Sequence, residues 1–313
     1  LIHFRSSDVY FSEGLDDSIH AYKNDRFTTK IISQIMDYCG EDFFTNLPKN
    51  QVGYPDHVFK VGDFVGLDYN EIIMLPWLKD LSGVKNNYSS ILEIGGGYSC
   101  FGRMLISAFQ GKYVNIELPN SLLLANYFLR MHFPELKFFP LERCIEEKIV
   151  RYEDWLAHDI FLLPPGITFE DKIQFELTVN SRSMMEMKAE TISMYFDLIH
   201  KHLAEEGHFL NINRIEKLTD GYPALFCEYP YDKHWTVIYG KMSLNQKNFY
   251  SLLTKRLSPA ITGNIKVYLD DLRDSHNYTY WLPNKFGPLI KRILFIIQKA
   301  FRKILFVTAM QMS

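Results

Sequence analysis

Residues 90–109 hold the feature that most restricts how this chain can fold. Ser90-Ile91-Leu92-Glu93-Ile94 reads as a short apolar strand, it runs into Gly95-Gly96-Gly97, and a helical pattern follows from about residue 101 to 109. A strand that passes through glycines into a helix brings bare backbone close to a bound group and aims the helix N-terminus at it. The same alternation then repeats. Residues 113–118 predict a strand stopped by Pro119, with Asn120 as N-cap of a helix over 121–131. Residues 160–163 predict a buried strand ended by Pro164-Pro165, and 175–179 predict another. A long helix is expected from 184 to about 204, then a strand over 208–212 after Gly207. Strands that alternate with helices and carry runs such as Ile-Phe-Leu-Leu predict an α/β chain with a mostly parallel, doubly wound sheet. Residues 235–239 and 265–269 are the segments expected to supply an antiparallel edge.

Three regions follow from this pattern. Residues 1–88 form a mainly helical N-terminal region, with amphipathic helices expected over 25–38 and 69–81 and a turn at Gly53-Tyr54-Pro55-Asp56. That region is expected to lid a binding cleft or to form a homodimer contact. Residues 89–283 hold the sheet, and residues 284–313 form a basic amphipathic helix. In the last of these, Ile290, Ile293, Leu294, Ile297, Phe301, Ile304 and Leu305 share one face, and Lys291, Arg292, Lys299, Arg302 and Lys303 lie opposite. Such a helix can rest on anionic lipid at a membrane surface, or pack on its own domain or on a second subunit.

Composition excludes several classes. A net charge of -3 over 313 residues gives no general basic surface, so a nucleic-acid partner is not expected. Cys39, Cys100, Cys144 and Cys227 form no C-x-x-C pair, which argues against a disulfide framework or a cysteine zinc site and fits a reducing cytoplasm. The residues after Leu1 show no basic-then-apolar signal pattern, and no apolar run is long enough to span a bilayer. His200, His202 and His208 lack the spacing of a metal site, so no metal is expected.

The glycine turn alone would serve a dinucleotide, a nucleotide or a methyl donor. Two details favour the methyl donor. A dinucleotide fingerprint wants a third glycine where Cys100 stands. Glu93, just before the glycines, would repel a pyrophosphate and attract the ammonium of a methionine moiety. The plain alternative is a tight turn with an exposed Glu. Glu117 ends the next strand roughly twenty residues on, where folds of this kind put a carboxylate on ribose hydroxyls.

The segments Leu92-Glu93-Ile94-Gly95-Gly96-Gly97-Tyr98 and Ile116-Glu117-Leu118-Pro119 resemble the sugar O-methyltransferases, a bacterial family associated with polysaccharide biosynthesis. So do Val179-Asn180-Ser181-Arg182-Ser183-Met184-Met185-Glu186-Met187 and Asn211-Ile212-Asn213-Arg214. The resemblance implies a Rossmann-like class I methyltransferase fold that uses S-adenosyl-L-methionine, with a sugar or glycan hydroxyl as acceptor. It implies cofactor binding by Glu93, Gly95, Gly96, Gly97, Tyr98, Glu117, Leu118, Asn180 and Ser181. The chain departs from the family at Ser99, where the family carries a further glycine, and at Glu117, where it carries Asp.

Ligands of doubly wound sheets sit beyond the carboxyl ends of the strands, which gathers Asn180, Ser181, Asn213 and Arg214 around the glycine turn. A protonated sugar hydroxyl is a poor nucleophile, so a general base is expected. Tyr229-Pro230-Tyr231-Asp232-Lys233-His234-Trp235 offers an imidazole, a carboxylate and aromatic faces. From it, His234 is expected to act as base oriented by Asp232, with Tyr231 and Trp235 joining Asn213 and Arg214 on the substrate; a plain surface-loop histidine is the alternative. Glu186 is a further candidate base, although Ser183-Met184-Met185-Glu186 also has the form of a capping box. Competing readings are methylation of a non-sugar small molecule and a non-catalytic binder on the same fold. An NAD-dependent oxidoreductase is disfavoured by the missing glycine and by Glu93.

Overall fold

The computed structural model describes residues 25–40, 43, 52, 59–61, 64–67, 69–219, 222–244 and 248–275. The expected C-terminal helix over 284–313 and the turn at 53–56 lie outside the described residues.

Seven strands form one sheet: β1 (Ser90–Ile94), β2 (Lys112–Ile116), β3 (Ile160–Leu163), β4 (Phe175–Ser181), β5 (Leu203–Arg214), β6 (Trp235–Met242) and β7 (Phe249–Arg256). Their order is β3-β2-β1-β4-β5-β7-β6. Strands β1 to β5 run parallel, and β7 runs antiparallel to both of its neighbours. The chain leaves β1 for β2 on one side and for β4 on the other. That makes the carboxyl ends of β1 and β4 the switch point of the sheet, where such folds open a crevice. This is the Rossmann-like, doubly wound architecture the alternation predicts.

Period-two alternation divides the strands between two apolar layers. Ile91, Tyr113, Val179, Leu210 and Ile212 face one layer, covered by α1 (Asp25–Cys39), α2 (Tyr69–Val84), α3 (Cys100–Phe109) and α4 (Pro119–His132). Leu92, Ile94, Val114, Ile116 and Phe209 face the other, covered by α5 (Ala189–His202) and α6 (Ile265–Ser275). Helix α2 belongs to the sheet unit. Trp77 meets Phe101 edge to face at 5.9 Å, and the buried Glu71 accepts a 2.8 Å bond from Arg103 of α3. A boundary at residue 88 therefore cuts through a continuous core. Helix α1 is tied in by Lys241 of β6, which contacts Asp80 at 2.6 Å and donates to Tyr38 at 2.7 Å.

Three local expectations are corrected. Pro119, whose fixed φ suits the first helical turn, opens α4 itself, so Asn120 is not the N-cap. The segment after β4 makes a 3-10 turn over Met184–Glu186; Met187 and Lys188 are extended, and α5 starts only at Ala189. Residues 265–269 belong to helix α6, because Ile265, Leu269 and Leu272 recur at helical spacing and are buried together. Residues 235–239 do lie in the edge strand β6, and its antiparallel partner is the unexpected β7, buried from Phe249 to Thr254. A strand covered on both faces carries no alternation to announce it.

A candidate active site at the carboxyl edge of the sheet

The turn after β1 is shaped by what lies beneath it. Gly95 has φ +71° and Gly97 has φ +55°, a region that suits glycine. A Cβ on Gly95 would stand 2.0 Å from Ser183 Oγ, whereas one on Gly97 would have nothing within 4 Å. Gly97 thus faces open space at the switch point. Ser99 also takes a left-handed φ of +66°, which explains why a glycine suits that position. Here the serine is buried, its Oγ accepts from Asn115 Nδ2 at 2.8 Å, and its hydroxyl donates to Tyr113 Oη at 3.3 Å.

Strand β2 supplies the braces. Tyr113, Asn115 and Glu117 alternate with Val114 and Ile116, so all three point to the face of the sheet that carries the turn. Asn115 is fully buried; its Oδ1 accepts from Gly96 N–H at 3.1 Å, and its Nδ2 donates to Gly97 O at 3.2 Å. The Tyr113 hydroxyl donates to Glu93. Glu117 is half-buried, and its two carboxylate oxygens accept from Gly97 N–H at 2.7 Å and Leu118 N–H at 2.6 Å. Each of those oxygens keeps a lone pair for a further donor.

Glu93 departs from its expected role. It is 1% exposed, tucked under Gly96 and hydrogen-bonded by Tyr113, so its carboxyl does not meet an ammonium on the open side of the turn. Burial pushes its pKa up to about 7; the Tyr113 hydrogen bond opposes the rise and the charge of Glu117 adds to it. As placed, Glu93 supports the turn from below. Tyr98 likewise packs inward, edge to face on Phe128 at 5.2 Å.

The asparagines form a buried ladder. Asn180 donates to Ile94 O at 2.8 Å and to Ser183 Oγ, and its Oδ1 accepts from Asn213 at 2.8 Å. Asn213 in turn donates to Asn211 Oδ1 at 2.6 Å and accepts from Met185 N–H at 3.0 Å. Asn211 donates to Tyr231 Oη at 3.1 Å. Asn180, Asn213 and Tyr231 therefore fasten the ends of β1, β4 and β5 and the 3-10 turn, and their polar groups are spent on one another. The ends of β4 and β5 carry Ser181 and Arg214, both half-buried at the edge itself. Arg214 lies over the Phe249 ring at 5.4 Å. Leu118, at the end of β2, is 62% exposed beside the Glu117 carboxylate.

His234 and Asp232 lie at the opposite end of the sheet. Ile94 is level with Asn180, Asn211, Leu252 and then Gly240 across the strands, whereas Trp235 is level with Arg256, toward the amino ends of the parallel strands. Five residues along the strand and four strand spacings across amount to roughly 25 Å. At that end, Asp232 accepts from Arg256 at 2.6 Å and from His234 N–H at 2.8 Å. Burial acts to raise the Asp232 pKa, but these partners outweigh it and hold the pKa below the ordinary carboxylate value. His234 Nδ1 bonds Ile261 O at 2.8 Å. Trp235 is fully buried, its indole N–H bonded to His200 Nε2 at 3.2 Å and Arg256 over its ring at 5.0 Å, so it offers no face to a sugar. The pair assigned as base and orienter is a structural corner.

Of the acids and bases considered, Glu186 stands at the glycine-turn end. Its N–H bonds Ser183 O at 2.9 Å and its carboxylate pairs with Lys217. Ser183 makes no side-chain cap; its hydroxyl donates to Ile94 O at 3.0 Å, so the capping box is not formed. Tyr195 of α5, absent from the sequence reading, is half-buried within electrostatic reach of Glu117; burial and then that charge raise its pKa and keep it a neutral phenol. Among the described residues no group of three His, Cys, Asp or Glu could hold a metal ion, and no helix is long and apolar enough to cross a membrane.

Sheet order, a parallel core with one antiparallel strand, and the glycine turn at the switch point define a Rossmann-like, doubly wound fold. Similar solved structures include an S-adenosylmethionine-dependent methyltransferase from Mesorhizobium loti, 13% identical over 59% of this chain and 98% of that one, with a TM-score of 0.37. The N-methyltransferase NodS from Bradyrhizobium japonicum is 14% identical over 58% of this chain and 93% of its own, at a TM-score of 0.35. The 1,6-didemethyltoxoflavin-N1-methyltransferase of Burkholderia thailandensis, solved with 1,6-didemethyltoxoflavin and S-adenosylhomocysteine, is 12% identical over 60% of this chain and 80% of its own, at 0.40. No protein-family model and no curated protein matches the sequence.

Proposed function

We propose that this chain is an S-adenosylmethionine-dependent O-methyltransferase and that its acceptor is a sugar hydroxyl. The observation that carries the cofactor assignment is the pairing of Gly97 with Glu117. A glycine facing open space at the switch point is joined by a 2.7 Å bond to a half-buried carboxylate with lone pairs to spare. Those residues fit the group: Glu117 would accept from ribose hydroxyls, worth about 1.5–3 kcal/mol for each bond to a charged acceptor. Leu118 would cover an adenine face. When bound, the cofactor supplies a methyl group on a sulfonium, open to in-line displacement.

The chain's own tasks are then alignment, exclusion of water and removal of the acceptor proton. The Asn180–Asn213 ladder fixes the strand ends that frame the acceptor, and Glu186 takes the place assigned to His234 as proton acceptor. The sugar assignment rests on the resemblance of residues 179–187 and 211–214, which border the glycine turn, to the sugar O-methyltransferases.

Calorimetric titration with S-adenosylhomocysteine and with NADH tests the cofactor assignment. The expected result is micromolar binding of the former alone, weakened by Glu117→Ala about tenfold or more, since about 1.4 kcal/mol is a factor of ten. Binding of NADH instead, or of neither, would refute it.

A further inference from the structure

Two carboxylates flank the glycine turn, and neither has a basic side chain in contact. Glu93 lies beneath it: a Cβ on Gly96 would stand 2.8 Å from the Glu93 carboxylate, and the Tyr113 hydroxyl donates to that group. Glu117 borders the open side, where it accepts from Gly97 N–H at 2.7 Å. Other acids near this end are matched, Glu71 by Arg103 and Glu186 by Lys217. Among the described residues no Lys or Arg forms an ion pair with Glu93 or Glu117.

Burial lifts the Glu93 pKa to about 7. The Tyr113 hydrogen bond, the more distant charge of Arg182 beyond β4 and the Gly102 backbone of α3 oppose the rise, and the charge of Glu117 adds to it. A modest change of charge above the turn therefore decides whether Glu93 is ionised. The relation is mutual: a positive charge there favours ionised Glu93, and ionised Glu93 favours the positive charge. S-adenosylmethionine carries such a charge on its sulfur; S-adenosylhomocysteine, which lacks the methyl group, does not.

We propose that Glu93 is a positioning residue that senses the charge of the cofactor sulfur through the glycine turn, favouring the methyl donor over its neutral product without touching either. A buried carboxylate acts across one layer of backbone with little screening by water or salt. The two ligands are otherwise alike, so a difference between them isolates the charge on sulfur. The inference rests on the cofactor reading and deepens it, by giving that site a preference between donor and product.

The test is calorimetric titration of the full chain with each ligand, at about pH 6, 7 and 8 and in buffers of different ionisation enthalpy. The wild-type preference for S-adenosylmethionine should rise about fivefold or more across that range, as Glu93 loses its proton. At about pH 7, S-adenosylmethionine should release about a third of a proton more per site than S-adenosylhomocysteine. Glu93→Gln, which still accepts from Tyr113, should bind S-adenosylhomocysteine as wild type does at about pH 6 and lose both effects. Glu93→Asp should keep them. A merely structural support would change both affinities together and release no extra proton. A flat preference in wild type, or a rise that persists in Glu93→Gln, would overturn the inference and leave the cofactor reading in place. Should Glu93→Gln fail to fold, the wild-type proton release and Glu93→Asp decide the matter. Binding of neither ligand would refute the cofactor reading, and this inference with it.

Discussion

The two ends of the sheet carry similar chemistry and do opposite things with it. At the amino end, Asp232, His234, His200, Arg256 and Trp235 offer the residue types of a catalytic loop, yet they close on one another around a buried indole. At the carboxyl end, Asn115, Glu117, Tyr113 and Glu93 look like ordinary strand residues, yet they hold a backbone turn open beside Gly97. Residue type does not separate the two clusters. Strand direction does: β6 enters the sheet from the amino edge, so the loop before it is delivered to the wrong end, whatever its composition.

The sharpest way to break this contrast is at Asn115. Asn115→Leu keeps its size but strands Gly96 N–H and Gly97 O, at about 1–3 kcal/mol for each buried group left unpaired, and leaves Ser99 Oγ bonded to Tyr113 alone. S-adenosylhomocysteine affinity should fall about a hundredfold while the chain still melts cooperatively. Undiminished binding would mean that the turn does not need its brace.

Glu93→Gln probes the same end through pH. The folded pKa of Glu93 stands near 7, against an ordinary value of 4.5, so the unfolded chain loses this proton first as pH rises. Wild-type stability should therefore decline between about pH 4.5 and 7 through this group, by about 3 kcal/mol, and level off above it. The glutamine variant should lack that share of the decline. Parallel urea midpoints for the two proteins across that window would show that Glu93 does not titrate as placed.

Glu186→Gln should lower turnover about a hundredfold and leave S-adenosylhomocysteine binding unchanged, a split that marks a group acting on the acceptor proton. If both stay at wild-type values, the proton leaves by another route. His234→Ala should have the smallest effect, with turnover within about twofold of wild type, as expected for a surface corner. A loss beyond tenfold would bring the amino-end cluster back into the chemistry and undo the contrast itself.

Much of the fold is legible in the sequence because each early unit is self-announcing. Strand β1, its glycines and α3 are all set by local pattern, and Ile160–Leu163 is bounded by prolines. The later elements are hidden for a physical reason. Strand β7 is buried on both faces, and Ile-Lys-Val-Tyr-Leu at 265–269 satisfies a strand pattern as readily as the helical one that wins through Leu269 and Leu272. In the site, Glu117 and the glycines follow from spacing. Asn115 and Tyr113 do not, because nothing in a single strand says which face its alternate residues will find. The displacement of His234 needs the register of five strands, and no local signal carries it.

The clearance at Gly102 has a consequence for recognising kindred chains. Any side chain there would put its Cβ 2.1 Å from Tyr113 Oη and evict the phenol from Glu93. Gly102 and Tyr113 are thus locked as a pair, just as Gly96 is with Asn115, whose Oδ1 a Cβ there would meet at 2.8 Å. Read together, E-x-G-G-G-x-S-x-x-G followed by Y-x-N-x-E is a composite pattern in which Gly96 and Gly102 predict their partners on the next strand. A collection of chains in which these positions vary independently would refute the lock; paired loss of Gly102 and Tyr113 would reveal it.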